Sequence, residues 1–159
     1  MSQPRNPLRI NVGFMIHEPI GNYRDLDFNF EEIVLESDLQ LSNLNGKVRI
    51  NRTPQGLLLD ANFEGTVVEQ CVRCLEDFPQ KITTEFQELF AYHSRHTTDA
   101  ELFVPEDGFI DLPPLVYENI LLAFPIKALC RPDCKGLCIE CGINLNFATC
   151  EHLDSRVAY

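Results

Sequence analysis

The feature that most constrains this chain is a crowd of cysteines near its carboxyl end. Five of the 7 cysteines lie between residues 130 and 150, and His152 follows closely. Cysteines cluster in this way in a disulfide framework or around a metal ion, and the cellular compartment decides between the two. The segment Cys138-x-x-Cys141-Gly142 has the form of a zinc knuckle. Two intervening residues let one tight turn direct both sulfurs at one ion, and glycine suits the backbone position that follows.

The sequence shows no signal for export or membrane insertion, and this argues against the disulfide alternative. Arg5 and Arg9 precede only a short apolar run, residues 12–16, which Gly13 interrupts. No apolar stretch approaches the roughly 20 residues that a membrane span needs. We therefore expect a cytoplasmic protein with no membrane association, whose cysteines sit in a reducing compartment and bind metal.

The candidate ligands allow several four-residue sets, and a structural zinc site uses one such set with no open coordination position. Short chain spacing makes one set the cheapest to close in chain entropy, and this first choice is Cys130, Cys134, Cys138 and Cys141. A rival arrangement joins the two Cys-x-x-Cys motifs, 71–74 and 138–141. A third places a second ion at Cys71, Cys74, Cys150 and His152. Buried free thiols are the alternative without metal.

The net charge of −11 is unevenly distributed. Residues 76–118 carry ten acidic side chains and two basic ones. Broad, non-specific binding to a phosphate backbone depends on lysine and arginine, so an acidic middle argues against it. The same region suits a basic partner, such as a ribosomal protein, or is simply a solvated face that confers solubility.

Alternating apolar residues predict a series of strands separated by turns. Pro54-Gln55-Gly56 is the clearest turn, because proline presets one turn dihedral and glycine accepts the next. Cys71 and Cys74 then fall at the tip of the following hairpin. The strands are predicted at residues 8–16, 23–30, 33–41, 47–53, 57–70 and 82–90, with a further turn at 43–46.

One helix is predicted near residues 112–124, ended by Pro125 and largely buried against the sheet because its apolar residues form no narrow stripe. Residues 93–108 are predicted to form a surface loop. The expected fold is α+β and mainly β: an antiparallel β-meander with one packed helix and a C-terminal zinc-knuckle-like tail. The expected division is a sheet domain over 1–126 and a cysteine-rich zinc-binding tail over 127–159.

The chain lacks a recognisable catalytic frame. No glycine loop for phosphate binding occurs, and no histidine is an evident partner for a nucleophilic cysteine. A thioredoxin-like site requires a Cys-x-x-Cys pair that opens a helix after a strand, whereas Cys71 is predicted at a hairpin. The sequence therefore predicts a protein that acts by contact and has no small-molecule substrate.

Three segments together resemble the YceD family, which is named for large ribosomal RNA subunit accumulation. They are Val68-Glu-Gln-Cys-Val-Arg-Cys-Leu75, the residues from Ile110 to Pro125 that include Glu118, and the run Leu129 to Asn146 with its four cysteines. Family members often finish with Cys-x-Cys, and this chain has Cys150-Glu-His152 at that place.

The resemblance implies a non-enzymatic ribosome-biogenesis factor that supports accumulation or processing of large-subunit (23S) ribosomal RNA. The implied partners are precursor ribosomal RNA, a basic large-subunit ribosomal protein, or both. Several basic side chains are candidate RNA-binding residues, with scattered surface charge as the alternative: Arg49, Arg52, Arg73, Lys127, Arg131 and Lys135. A metal-dependent RNA hydrolase or nuclease is the second hypothesis, and it needs a metal with an open coordination position.

Overall fold

The structure, a computed structural model, describes residues 7–36, 38–92 and 102–152 of the 159-residue chain. Over these residues the chain is mainly β, with antiparallel sheets and one α-helix, which confirms the predicted fold class at this level. The elements are β1 (Arg9–Asn11), a 3₁₀ helix (Gly13–His17), β2 (Tyr23–Leu35), β3 (Leu39–Arg52), β4 (Gly56–Gln70), β5 (Asp77–Ala91), β6 (Phe109–Asp111) and α1 (Pro113–Ala123). No helix in the described ranges is long and apolar enough to cross a membrane.

The main sheet is a meander of four strands in the order β2-β3-β4-β5. β2 and β3 pair antiparallel from Tyr23 opposite Asn51 to Leu35 opposite Leu39. The predicted turn between β3 and β4 is confirmed, and the Thr53 N–H closes it by donating to the carbonyl of Gly56 at 2.9 Å. β1 and β6 form a separate two-stranded sheet.

Two of the predicted strand segments are wrong, and the strands predicted at 23–30, 47–53 and 82–90 are longer, at Tyr23–Leu35, Leu39–Arg52 and Asp77–Ala91. The segment 8–16 is a strand only over Arg9–Asn11, because the N–H groups of Val12 and Gly13 both donate to the carbonyl of Gly108 and a 3₁₀ helix follows. The segment 33–41 belongs to two strands, the end of β2 and the start of β3. Glu36, with φ of 50°, lies at the reversal, and Ser37 lies outside the described residues.

The turn predicted at residues 43–46 is also wrong, because this segment is part of β3. Pairing with β2 overrides the local turn chemistry: Asn45 lies opposite Asn29 and accepts a hydrogen bond from its side-chain amide at 2.6 Å. Gly46 has a different reason to be glycine. A Cβ there would overlap the ring of Phe63, which packs against this position.

The chain forms two compact units. The first unit is Met1–Gly65 with Ile82–Ala123, and the second unit is Thr66–Lys81 with Phe124–Tyr159. The sequence-based division at residues 126 and 127 assigned the tip of the β4–β5 hairpin to the sheet domain. In the structure this tip lies in the same compact unit as the cysteine-rich tail, because residues from both segments pack into one cluster.

The first unit has an apolar core. Phe63 is 1% exposed, and its ring stacks between those of Phe28 and Phe86 at centroid distances of 6.2 and 6.4 Å. Helix α1 contributes Val116 and Ile120 to buried positions. The prediction that this helix is largely buried is wrong, because only three of its eleven residues are buried and Leu122 is 84% exposed.

The part of the chain beyond Tyr92 is described from Leu102 onward, so the predicted loop over 93–108 is only partly covered. Residues 93–101 lie outside the described ranges. Over the remainder, Ala91 and Phe103 form an isolated parallel bridge, and the Gly108 N–H donates to the carbonyl of Pro105.

Candidate metal centres

The second unit contains a tight group of sulfurs, here the four-cysteine cluster: Cys71, Cys74, Cys130 and Cys134. The hairpin tip between β4 and β5 supplies the first pair, and the loop after α1 supplies the second. All four sulfurs lie within 4.8 Å of one another. The Sγ atoms of Cys71 and Cys134 are 3.8 Å apart, and those of Cys74 and Cys130 are 3.7 Å apart.

These separations fit a tetrahedral metal site. Zinc–thiolate bonds of about 2.3 Å arranged tetrahedrally place the sulfurs about 3.8 Å apart. A disulfide would require about 2.05 Å, and every cysteine is a free thiol. Cys71, Cys74 and Cys134 are at most 4% exposed and Cys130 is partly buried, so most of the cluster is shielded from water.

Local backbone geometry explains how the hairpin tip presents two sulfurs. The Leu75 N–H donates to the carbonyl of Cys71 at 2.9 Å, and Leu75 takes the left-handed conformation with φ of 61°. The Val72 N–H donates to the carbonyl of Ala128 at 2.9 Å, which ties the tip to the loop that carries the other two cysteines. Main-chain hydrogen bonds therefore fix the approach of the two ligand pairs.

The thiols of this cluster have opposed acidities. Burial alone raises the pKa of Cys71, yet three backbone N–H groups, those of Cys130, Cys74 and Arg73, lower that pKa to about 6. Desolvation and the neighbouring sulfurs raise the pKa of Cys130 to about 12. Four thiolates at these distances would repel one another strongly, and a divalent cation bound among them would offset that repulsion.

Asn146 supports the cluster from outside. Its side-chain N–H donates to the Sγ of Cys134 at 3.3 Å, and its side-chain oxygen accepts from the Lys135 N–H at 2.9 Å. The hydrogen bond from Asn146 is the main reason that the pKa of Cys134 is lowered. Outer-shell partners of this kind orient ligands and tune a metal site.

A second group of ligands in the same unit is the three-cysteine cluster: Cys138, Cys141, Cys150 and His152. Its candidate ligand atoms also lie within 4.8 Å of one another. The Gly142 N–H donates to the carbonyl of Cys138 at 2.9 Å, and the φ of Gly142 is 75°. This is the backbone turn expected of the zinc knuckle that the sequence predicts, and Leu75 takes the corresponding position in the four-cysteine cluster.

The three-cysteine cluster is more open to solvent. Cys138 is buried, Cys150 is partly buried, and Cys141 and His152 are exposed. Backbone N–H groups of Cys141 and Glu140 lower the pKa of Cys138 to about 6, whereas desolvation and the Cys138 sulfur raise the pKa of Cys150. The donor set of three sulfurs and one imidazole is a common zinc set.

The structure divides the first-choice ligand set between the clusters. Cys130 and Cys134 lie with Cys71 and Cys74, whereas Cys138 and Cys141 lie with Cys150 and His152. Closure entropy favoured ligands close in sequence, but the β4–β5 hairpin supplies a preformed pair whose cost is already met by folding the sheet. Sequence reasoning named all eight candidate ligands and lacked their three-dimensional grouping.

The candidate RNA-binding residues fall into both units. Arg49 forms a two-fold ion pair with Asp25, whose pKa its hydrogen bond lowers, and Arg52 donates to the carbonyls of Ile16 and Thr53. These two arginines are in the first unit. The exposed residues Arg73, Lys127, Arg131 and Lys135 belong to the second unit.

A mainly β protein that carries two cysteine-rich candidate metal clusters is the class that the fold and the sites define. The chain belongs to the YceD family: the family model described as "Large ribosomal RNA subunit accumulation protein YceD" matches residues 59–158. The match covers both clusters and most of the β4–β5 hairpin. No solved structure matches the chain.

Curated relatives extend this relationship. The uncharacterized protein YlbN of Bacillus subtilis is 32% identical over 117 residues, which cover 67% of each chain. An uncharacterized protein of Mycobacterium tuberculosis is 31% identical over 102 residues, 62% of this chain and 49% of the relative. The chain thus spans about half the length of the mycobacterial relatives that it matches.

Two matching plant proteins carry a functional name. One, from Zea mays, is called "Large ribosomal RNA subunit accumulation protein YCED homolog 1, chloroplastic". It is 43% identical over 44 residues, which cover 28% of this chain and 15% of the plant protein. The family name thus connects the chain with large-subunit ribosomal RNA.

Proposed function

We propose that this protein is a non-enzymatic factor of ribosome biogenesis that supports accumulation or processing of large-subunit ribosomal RNA. Membership of the YceD family over residues 59–158 carries the proposal. The proposed site of action is the bacterial cytoplasm, where ribosomal subunits assemble. The proposed partners are the RNA precursor, a basic ribosomal protein, or both.

The proposed cofactor is zinc, held at two structural sites. The four-cysteine cluster supplies Cys71, Cys74, Cys130 and Cys134, and the three-cysteine cluster supplies Cys138, Cys141, Cys150 and His152. Thiolate-rich ligand sets select zinc over harder cations such as Mg²⁺. When bound, the metal supplies folding free energy to the second unit.

The ligand count favours a structural role over catalysis. Catalytic zinc keeps one position for water or substrate, whereas four protein ligands close the coordination shell. Each cluster offers four ligand atoms within 4.8 Å of one another. A metal-dependent hydrolase or nuclease would need one of these ligands to remain off the ion.

The function is tested by depletion in the source cell. We expect depletion to lower the ratio of large- to small-subunit ribosomal RNA and to leave unprocessed precursor ends, and the intact gene should restore both. Unchanged ratios and ends would refute the proposed function. Purified protein should contain two zinc ions per chain by elemental analysis and should leave large-subunit RNA uncut.

A pair of ligand substitutions tests the assignment of the two sites. Cys74→Ser and Cys150→Ser should each lower the zinc content towards one ion per chain, because each removes one ligand from a different cluster. A single ion that is lost in both variants would contradict two separate sites. Serine is the matched replacement, since it is similar in size and a poor zinc ligand.

A further inference from the structure

We infer that the second unit carries a binding surface for single-stranded RNA, here the basic surface: Arg73, Lys127, Arg131, Lys135 and Phe147. The inference rests on the proposed function, because it names the partner and the residues through which a ribosome-biogenesis factor would act. Charge and an exposed aromatic ring are its two physical components.

The four-cysteine cluster determines where three of the basic side chains lie. Arg73, Arg131 and Lys135 each directly adjoin a cysteine of the four-cysteine cluster in sequence. Adjacent Cα atoms are about 3.8 Å apart, and the four sulfurs lie within 4.8 Å of one another, so these three bases emerge from one small region. Lys127 precedes Ala128, whose carbonyl accepts from the Val72 N–H at the hairpin tip.

These basic side chains are exposed and have few charged partners within the protein. Among the described residues, no carboxylate lies within ion-pair distance of Lys127 or Lys135. Arg131 approaches only Asp133, at 3.8 Å, and that aspartate is 86% exposed. Arg73 donates to the carbonyl of Cys134 at 3.0 Å, which orients its guanidinium without neutralising it.

Three of the four described arginines of the first unit are used differently, and the fourth, Arg24, pairs with Glu18 at 3.8 Å. Arg9 and Arg49 form ion pairs at 2.7 and 2.6 Å, and each lies 4.4 Å from the centroid of an aromatic ring. Arg52 donates to two carbonyls and lies over Tyr92. These cations already have intramolecular partners, so counterion release by RNA favours the second unit.

Phe147 supplies the second component. This side chain is 80% exposed, so its ring is open to a partner. It follows Asn146, whose side chain holds both the Lys135 N–H and the Cys134 sulfur. An exposed ring beside cations is the combination that binds single strands, with bases stacking on the ring and phosphates near the cations.

An acidic polypeptide is the competing occupant, and the ring discriminates between the two. Carboxylates would pair with the basic side chains equally well, but a peptide offers no series of flat nucleobases to stack on the ring. Duplex RNA keeps its bases stacked internally, so it would use the charges and not the ring. The observations therefore favour a single strand.

Fluorescence anisotropy with the full zinc-loaded chain tests the inference. The probe is a fluorescein-labelled 20-nucleotide oligouridine, titrated at several salt concentrations, with a 20-base-pair RNA duplex and polyglutamate as comparisons. We expect the single strand to bind tightest. Lys127→Ala and Lys135→Ala should each reduce the slope of log affinity against log salt by about 0.7. Phe147→Ala should weaken binding roughly fivefold to a hundredfold and leave that slope unchanged.

Lys47→Ala provides the matched control, since it removes one exposed lysine from the first unit. We expect it to leave the affinity for oligouridine unchanged. Zinc content and the melting temperature of each variant should equal those of the parent chain. Loss of zinc in the lysine variants would show that these bases serve the thiolate clusters and would overturn the inference.

Three other results would overturn it as well: no binding to oligouridine, equal weakening by Lys47→Ala, or equal affinity for polyglutamate. Complementation separates this inference from the proposed function. If the triple variant Lys127→Ala, Lys135→Ala, Phe147→Ala restores ribosomal RNA levels in depleted cells as well as the parent, the surface is refuted and the function stands. If depletion itself has no effect on those levels, the function is refuted.

Discussion

The two units of this protein reach stability by different means. The first unit buries large apolar side chains on strands and a helix, among them Leu59, Phe63 and Ile120. The second unit has few such residues: its buried hydrophobic positions in the described ranges are Val67, Cys71, Cys74, Ala128, Cys134, Cys138 and Leu145. Four of these seven are cysteines. A unit this small with so little apolar burial needs an additional cross-link for stability. A metal ion bound at each cluster would provide such a cross-link.

The units also differ in charge. Within its described residues the first unit carries fifteen acidic and five basic side chains, and the second carries six and five. The acidic character that the whole chain shows is therefore a property of the sheet unit. The net charge of the whole chain therefore does not describe the second unit, whose charges nearly balance. Contact between this second unit and a polyanion is compatible with its charge.

Metal removal should give the largest effect and would break the comparison most directly. We expect a chelator strong enough to strip zinc to abolish amide protection from hydrogen exchange around Cys71, Cys134 and Leu145, with Leu59 and Ile120 still protected. Structural zinc contributes on the order of 10 kcal/mol to small domains. Amide hydrogen exchange, measured by mass spectrometry on peptic fragments, reports protection in both units in one experiment.

The control is re-addition of zinc under reducing conditions, which should restore protection in the second unit. Mg²⁺ at the same concentration should not, because thiolates bind it poorly. Equal loss of protection in the two units after chelation would contradict independent stabilisation. So would full protection of the second unit without metal.

A core substitution in the first unit should have the next largest effect. Phe63→Ala removes a buried ring that stacks on Phe28 and Phe86, and it should lower the free energy of unfolding by about 3–5 kcal/mol. Urea unfolding followed by circular dichroism measures the loss. Zinc content should stay at the parent value. Metal loss in this variant would show that the second unit depends on the sheet core.

Asn146→Ala should have a smaller effect, confined to the four-cysteine cluster. The substitution removes the hydrogen bonds to the Cys134 sulfur and the Lys135 N–H, and we expect zinc affinity at one of two sites to fall about 10- to 100-fold. Competition with a chromogenic chelator measures this. Asn45→Ala is the matched control, because its partner Asn29 is an exposed amide in the first unit. An equal change of zinc affinity in both variants would contradict a role for Asn146 in supporting the metal site.

The sequence supported the parts of this structure that depend on local patterns. Alternation from Leu57 to Gln70 and the Pro54–Gly56 turn predicted the β3–β4 hairpin, and the helix near 112–124 lies at Pro113–Ala123. The spacing of Cys138, Cys141 and Gly142 predicted a knuckle with the observed backbone turn. In each case a few neighbouring residues determine the geometry.

The parts that local patterns missed depend on contacts between distant residues. Asn43 to Gly46 has turn composition, and Asn43 does take a left-handed φ of 51°, yet pairing with β2 keeps residues 44–46 in the strand. The division of ligands between two clusters depends on the hairpin tip meeting the loop after α1, for example through Val72 and Ala128. Spacing along the chain cannot encode such a meeting.

The smallest expected effect compares the two knuckles with each other. Leu75 and Gly142 occupy corresponding positions, with φ of 61° and 75°, but only glycine adopts this region without strain. Leu75→Gly should therefore stabilise the four-cysteine cluster by about 1 kcal/mol, since Leu75 is 55% exposed and loses little burial. Gly142→Ala should destabilise the three-cysteine cluster by a similar amount, although a Cβ added there would meet no atom within 4 Å. Zinc competition on each variant gives the two signs, and equal signs would show that the two turns are not equivalent.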